Sequence, residues 1–292
     1  MHSIFQSIEF KEKEYLSKHT TFRIGGPAKY FFMPSDTEEL VKVIQYCRDN
    51  NEKYMIIGNG SNILFSDEGF DGVIIQIYSS MSAIRIDGDR IYAQAGALLS
   101  KIANLAKDSS LTGMEFAAGI PGTLGGAVVM NAGAYGGEMK DIIEYVDILE
   151  KDNTVRRYTC EEMEFGYRHS IIDESKIVLG AGMKLVHGNQ DEIVQEMNRL
   201  KEARTSKQPL EYPSAGSTFK RPEGFFAGKL IEDSGLKGYS VGGAMVSDKH
   251  CGFVINYNDA TCRDVLDLIN YVKKTVKDKF DVDLEPEVKI IP

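Results

Sequence analysis

Residues 115–137 read EFAAGIPGTLGGAVVMNAGAYGG, and this stretch limits the fold more than any other. Gly119, Gly122, Gly125 and Gly126 fall too close together for an ordinary helix or strand, because each adds backbone freedom that folding must remove. Glycine at this density is tolerable where bare backbone must approach something closely. The apolar run 127–130 has helix-forming character, with Thr123 placed to cap its first turn. A loop of amides leading into a helix start suits an anionic or electron-rich ligand. A tight turn between packed elements is the alternative for a lone Gly-Gly. Asn131 and a second cluster, Gly133, Gly136 and Gly137, favour the ligand.

A second glycine loop lies upstream. Tyr54-Met55-Ile56-Ile57 reads as a buried strand running straight into Gly58-Asn59-Gly60-Ser61-Asn62. No helix-packing glycine follows, as Gly-x-Gly-x-x-Gly requires, and there is no Gly-Lys-Ser/Thr ending of a Walker loop. The loop offers backbone amides and the side chains of Asn59, Ser61 and Asn62 as donors to a pyrophosphate. A simple β-turn explains the local sequence equally well. Two glycine loops in one domain point to a long, two-ended ligand.

Helix and strand periods alternate around these loops. Residues 1–20 are polar and charged and read as a lead-in. The turn-rich 21–27 segment precedes a strand at 30–33. A capping box, Ser35-Asp36-Thr37-Glu38, opens a helix whose Leu40, Val41, Ile44 and Cys47 share a face. After a strand at 73–77, Ile84, Ile86, Ile91, Ala93 and Ala95 alternate about an Asp87-Gly88 turn as a hairpin. Leu98, Ile102, Leu105 and Ala106 place a helix behind it. Beyond the central loop come a hairpin at 145–158, a second capping box, Thr159-Cys160-Glu161-Glu162, starting a short helix, and a strand at 177–179. Ile193, Val194, Met197 and Leu200 mark a helix ending near Arg204. The irregular 205–213 connection, with two prolines, marks a domain boundary. Then follow a loop-to-strand segment at 214–222, a short helix at 227–234 stopped by Gly235, and strands at 244–246 and 253–255. Val265, Leu268, Ile269, Val272 and Val276 define a long last helix.

With 292 residues, 42% of them hydrophobic, the chain can bury the cores of two or three domains. Its formal net charge of -9 argues against nucleic acid as the main partner. No apolar run approaches a membrane span, and residues 1–7 show no export signal. Cys47, Cys160, Cys251 and Cys262 form no Cys-x-x-Cys pair, so reduced thiols in a cytoplasmic enzyme are expected instead of disulfides or zinc. No metal site is expected, because the adjacent His250 and Cys251 lack further ligands.

The two glycine loops line up with Tyr167-Arg168, Gly216-Ser217 and Glu285-Pro286-Glu287-Val288. Together these resemble the UDP-N-acetylenolpyruvoylglucosamine reductase family over nearly the whole chain. The resemblance implies an α+β fold: a two-lobed FAD-binding domain of the vanillyl-alcohol-oxidase (PCMH) class, with lobes at 1–78 and 79–205, and a C-terminal α+β substrate domain at 206–292. It implies FAD held by Arg23 and Gly25, by Ile57, Gly58, Asn59, Gly60, Ser61 and Asn62, and by Gly119, Pro121, Gly122, Thr123, Gly125, Gly126, Asn131 and Ala132. No His or Cys lies between Tyr54 and Ser66, so the flavin is expected to be non-covalent. Only a short stretch separates Arg168 from Ser217, which resembles the family's shorter variant, without an extra tyrosine-bearing loop.

The same resemblance implies reduction of an enolpyruvyl ether to a lactyl ether by NADPH through the flavin. It implies UDP-N-acetylglucosamine enolpyruvate as substrate, in peptidoglycan precursor synthesis. Arg168, Ser217 and Glu287 are the implied catalytic residues, and Lys207, Lys220 and Arg221 the implied substrate contacts. Arg168 suits a carboxylate on which charge develops, because its guanidinium is a fixed, permanently charged fork. Ser217 is the candidate proton donor, assisted by Lys220. Glu287 either donates as a protonated acid or orients a water or Arg168. A monomer is expected. The competing readings are an FAD-linked oxidase of the same domain class and a non-catalytic sugar-nucleotide sensor.

Overall fold

Segments of the chain far apart in sequence make up each of two compact units in the computed structural model, which describes residue 8 and residues 10–292. Among the described residues, unit 1 holds 8, 10, 31–59 and 73–204, and unit 2 holds 11–30, 60–72 and 205–292. The reading of residues 1–7 as free of an export signal lies outside the described residues.

In chain order the elements are β1 (Phe10–Tyr15), β2 (Pro27–Phe32), α1 (Thr37–Asp49), β3 (Tyr54–Ile57), β4 (Ile63–Phe65), β5 (Phe70–Gln76), β6 (Ile84–Asp87), β7 (Arg90–Gln94), α2 (Leu99–Asp108), β8 (Leu111–Thr112) and α3 (Leu124–Val129). They continue through β9 (Gly133–Ala134), β10 (Gly137–Glu138), β11 (Ile143–Leu149), β12 (Val155–Thr159), β13 (Ile177–Lys184), β14 (Val186–His187) and α4 (Gln190–Lys207). The last are α5 (Ala227–Asp233), β15 (Ser240–Val241), β16 (Ala244–Val246), β17 (Val254–Asn256), α6 (Cys262–Phe280) and β18 (Lys289–Ile291). The lead-in is thus more ordered than its composition suggests, since β1 occupies part of it. The 214–222 segment forms no strand and makes only isolated bridges, Ser214 to Ile255 and Phe219 to Pro286.

Unit 1 is built on a sheet of order β12-β11-β13-β7-β6, antiparallel throughout. Its central strand β13 is buried along almost its whole length. Gly180 and Gly182 sit there because Tyr92 and Tyr145 from the flanking strands occupy the space where their Cβ atoms would stand. β3 pairs in parallel with β5, Tyr54 opposite Val73, and so aims the loop after it.

Two capping boxes differ from expectation. In α1 the cap is Asp36, whose carboxylate accepts from Glu39 N (2.9 Å), while Glu39 reaches back to Ser35 N and Oγ (both 2.7 Å). The cap lies one residue later than expected because the aspartate supplies the helix-start acceptor, and the return bond goes to Ser35, before the cap, so no reciprocal box forms. Thr159 and Glu162 do bond reciprocally. They close only a turn, because Glu164 takes a left-handed conformation (φ 47°) where a helix would continue.

In unit 2, α5 and α6 pack on the β15-β16-β17 sheet. Val265, Leu268, Ile269, Val272 and Val276 of α6 are buried in that core. Thr261 caps α6 in a reciprocal box with Asp264, and Asp67 accepts from the amides of Cys262 (2.7 Å) and Arg263 (3.1 Å). Thr261→Ala is expected to cost about 1 kcal/mol and lower the melting temperature by roughly 2–4 °C, as thermal denaturation would read. β18 pairs in parallel with β4, joining residues 289–291 to the segment just after the 58–62 glycine loop.

Candidate active site

Unit 1 brings its parts of the two glycine loops together. Asn59 Nδ2 donates to the Pro121 carbonyl (2.6 Å), and buried Gln76 donates to the carbonyl of Gly58 (2.9 Å). A Cβ on Gly58 would fall on Thr123 Oγ1, so glycine is required for this approach. Thr123 makes no side-chain cap on α3. The first helix amides are satisfied instead by the connection between β7 and α2: Leu124 N donates to Ala97 O and Gly125 N to Ala95 O, both at 2.8 Å. This differs from a helix start whose amides all face a ligand. The open side is at Gly126, where a Cβ would meet only Thr123 Oγ1, at 3.7 Å.

Gly119 lies under a cation that the motifs do not flag. The guanidinium of Arg204, on α4, packs so closely that its Nη1 would be 2.9 Å from a Cβ at 119. Burial pushes this arginine down from its ordinary value, partly opposed by Tyr135.

Asn131 is buried and left-handed (φ 40°). Its Nδ2 donates to Glu138 Oε2 (2.8 Å) and Gly166 O (3.0 Å), and its Oδ1 accepts from Lys140 N (2.9 Å). Glu138 is held below the usual carboxylate range first by Lys140 (2.9 Å) and then by Asn131, against the opposing effect of burial; Arg168 adds its field in the same sense. Glu138 also escaped the sequence reading, where only its place beside the second glycine cluster hinted at a role.

Arg168 sits at the tip of a turn closed by Gly166 N to His169 O (3.1 Å) and His169 N to Gly166 O (3.3 Å). Its φ is 55°, a conformation that a side chain beyond glycine or asparagine rarely adopts. The guanidinium carbon is 5.1 Å from the ring centroid of exposed Tyr167.

Unit 2 gathers the remaining candidates. Thr21, beside Arg23, donates through N to Gly60 O (3.2 Å) and through Oγ1 to Ser214 O (2.7 Å). A Cβ on Gly60 would fall on His19 O. Asn62 Nδ2 donates to Glu287 O (3.1 Å), and Glu287 N donates to Thr218 O (2.8 Å). The backbones at 217–218 and at Glu287 are therefore neighbours, fixed by the buried Thr218, whose Oγ1 accepts from Val254 N (2.9 Å). Gly216 is left-handed (φ 76°) with open space where a Cβ would stand, and Ser217 is exposed beside it. Lys220, expected to assist Ser217, instead pairs with the Glu285 carboxylate (2.5 Å). Arg221 lays its guanidinium over exposed Phe226, 4.0 Å from the ring centroid. Lys207 is exposed at the end of α4.

Each unit, taken by itself, offers groups that fit part of a flavin nucleotide. Gly58 and Gly60 are glycine because Thr123 Oγ1 and His19 O stand where their Cβ atoms would be, and at Gly126 a face stays open. Among the described residues, no chain acceptor pairs with the amides of Asn59 and Ser61. Free amides beside glycine are what a pyrophosphate needs. The thiols take no part in this: burial pushes Cys47 up to about 12 and Cys262 up to about 11, so both stay protonated near neutrality.

Comparison with known proteins finds two matching domain families. Residues 28–159 match the family described as FAD binding domain, and residues 208–291 match the C-terminal domain of UDP-N-acetylenolpyruvoylglucosamine reductase. Reductases of that name from Caldanaerobacter subterraneus subsp. tengcongensis and Lachnoclostridium phytofermentans are each 53% identical over 95% of this chain, and the matches cover 92% and 91% of those proteins. The crystal structure of the Thermus caldophilus reductase superposes with a TM-score of 0.84 at 36% identity, over 98% of this chain and 99% of that one. A glucose dehydrogenase, Phl p 4.0202, shares the fold alone, at 16% identity and a TM-score of 0.50 over 64% of this chain and 44% of its own. The architecture is an FAD-binding domain of the vanillyl-alcohol-oxidase class followed by a C-terminal α+β domain. The chain belongs to the UDP-N-acetylenolpyruvoylglucosamine reductase family.

Proposed function

We propose that this chain reduces UDP-N-acetylglucosamine enolpyruvate to UDP-N-acetylmuramate with FAD and NADPH, a step of peptidoglycan precursor synthesis. The observation that carries the reading is the end-to-end match to reductases of this family at 53% identity. Bound FAD would supply a two-electron hydride relay between NADPH and the methylene carbon of the enolpyruvyl group. The chain's own residues bind, orient and protonate.

The amides of Asn59 and Ser61 would hold the pyrophosphate, and the open face at Gly126, with Gly119, Pro121, Gly122 and Gly125, would line the ring system. Ala132, Ile57, Arg23 and Gly25 complete the cofactor set. Arg168 binds the substrate carboxylate as a two-pronged donor, stabilising the charge that hydride addition pushes onto it. Ser217, exposed beside the open Gly216, delivers the proton to the neighbouring carbon. Glu287, its backbone tied to Thr218 and Asn62, acts as the second acid–base group, either donating directly or through a water. Lys207, Lys220 and Arg221 meet the anionic sugar nucleotide, offsetting locally the chain's net charge of -9. The chain works as a cytoplasmic monomer that binds neither nucleic acid nor membrane; the acidic balance and four free thiols support that placement.

Two outcomes test this reading. Acid or heat should release all yellow flavin from the purified protein into the supernatant, because no His or Cys stands at 54–66 to tether it. Colour retained by the precipitate would contradict the non-covalent assignment. Mixed anaerobically with NADPH, the protein should bleach, and the enolpyruvyl substrate should restore the colour. An FAD-linked oxidase or a sensor would not bleach.

A further inference from the structure

We propose that Asn131 is a positioning residue for the reduction, holding the turn that carries Arg168 through the Gly166 carbonyl while it fixes the Glu138 carboxylate beside it. The inference rests on the reading of Arg168 as the carboxylate-binding group. Three observations carry it.

The first is that Asn131 has no donor left over. Both hydrogens of Nδ2 are used, one by Glu138 (2.8 Å) and one by Gly166 (3.0 Å), and Oδ1 already accepts from Lys140 N (2.9 Å). The side chain is 1% exposed, so these bonds form away from water, where an unmade one is costly. The second is that Arg168 is left-handed, at φ 55°. A conformation of that kind persists only where the surroundings over-determine it. The third is that both flanks of the turn are anchored to the end of α3. Gly166 is tied to Asn131, and Ser170 Oγ donates to Val129 O (2.9 Å). Glu138, held between Asn131 and the Lys140 ammonium (2.9 Å), supplies a fixed negative charge within the field of the guanidinium. Asn131 thus sets the base of the turn, and the turn sets the direction of the fork.

Asn131→Gly is the informative substitution, because glycine accepts φ 40° and removes only the amide. Asn131 also stands in the FAD set that the resemblance implies, so FAD affinity is read beside turnover; with Nδ2 and Oδ1 already bonded inside the protein, FAD affinity and bleaching by NADPH should fall by less than about threefold. Reoxidation by the enolpyruvyl substrate should slow by roughly 30- to 100-fold, the scale of a catalytic group displaced by about an ångström. In an Arg168→Lys background the same change should cost less than about threefold more, because residues acting through one another are not additive. Loss of FAD affinity by tenfold or more would make Asn131 a flavin contact and overturn the proposal. Equal slowing of both half-reactions, or full additivity with Arg168→Lys, would overturn it as well. If Arg168→Lys alone leaves turnover near the parent's, the reading of Arg168 falls and takes the proposal with it; with Arg168→Lys slow, an additive Asn131→Gly sinks the proposal alone. Should the glycine variant not fold, Ser170→Ala removes the other anchor and is judged by the same criteria, with about tenfold slowing expected.

Discussion

Arg168→Lys is expected to lower turnover by about two to three orders of magnitude while FAD still binds. That is the usual worth of one preorganised donor at a developing oxyanion. Lysine keeps the charge but loses the planar fork, and its ammonium cannot meet both carboxylate oxygens in one fixed plane. The substitution is informative because it leaves the backbone question alone. Lysine pays the same cost at φ 55° as arginine does, so the melting temperature should not move, and the Gly166–His169 closure should persist. The loss should appear in the half-reaction with the enolpyruvyl substrate, and bleaching by NADPH should be spared. Turnover within a few-fold of the parent would remove Arg168 from the carboxylate-binding role.

Ser217→Ala should separate the two half-reactions most cleanly. NADPH needs no proton donor on the sugar nucleotide to bleach the flavin, so that step should stay near the parent rate. Reduction of the enolpyruvyl group needs hydride at one carbon and a proton at its neighbour. Reoxidation by the substrate should therefore slow by roughly two to four orders of magnitude, the range of a positioned general acid. The structure limits collateral damage. Ser217 is exposed, and the segment is held by the buried Thr218, through Thr218 N to Gly252 O (2.8 Å) and Val254 N to Thr218 Oγ1 (2.9 Å). Anaerobic stopped-flow absorbance of each half-reaction decides the matter. Equal slowing of both would mean that Ser217 shapes the flavin site and is not the acid.

The features legible in the sequence were those with local causes. The Asp87-Gly88 hairpin forms as its alternation requires, with Ile86 opposite Ile91 and Gly88 left-handed at φ 59°. α6 carries its apolar stripe on the buried face, and Gly235, at φ 78°, ends α5. Both glycine loops mark close approaches of the chain, Gly58 against Thr123 and Gly60 against His19 O, while Gly126 keeps an open face. What stayed hidden depends on partners distant in sequence. Lys220 faces Glu285 because residues 219 and 286 bridge, which local spacing does not reveal. The amides at the start of α3 look available until Ala95 and Ala97 are seen to accept from them. Thr159 and Glu162 satisfy the capping-box pattern, yet a single left-handed Glu164 stops the helix. Asn131 reads as one more polar residue of a glycine loop, and only the fold brings Gly166 to its amide.

The most direct test of the account is the product formed from UDP-N-acetylglucosamine enolpyruvate and NADPH under anaerobic conditions, by mass spectrometry and proton NMR. The account predicts one lactyl ether, heavier than the substrate by two hydrogens, for each NADPH oxidised, with a new methyl doublet in place of the vinyl signals. NADPH consumed without that product, or a vinyl group left intact while the flavin cycles, would contradict it.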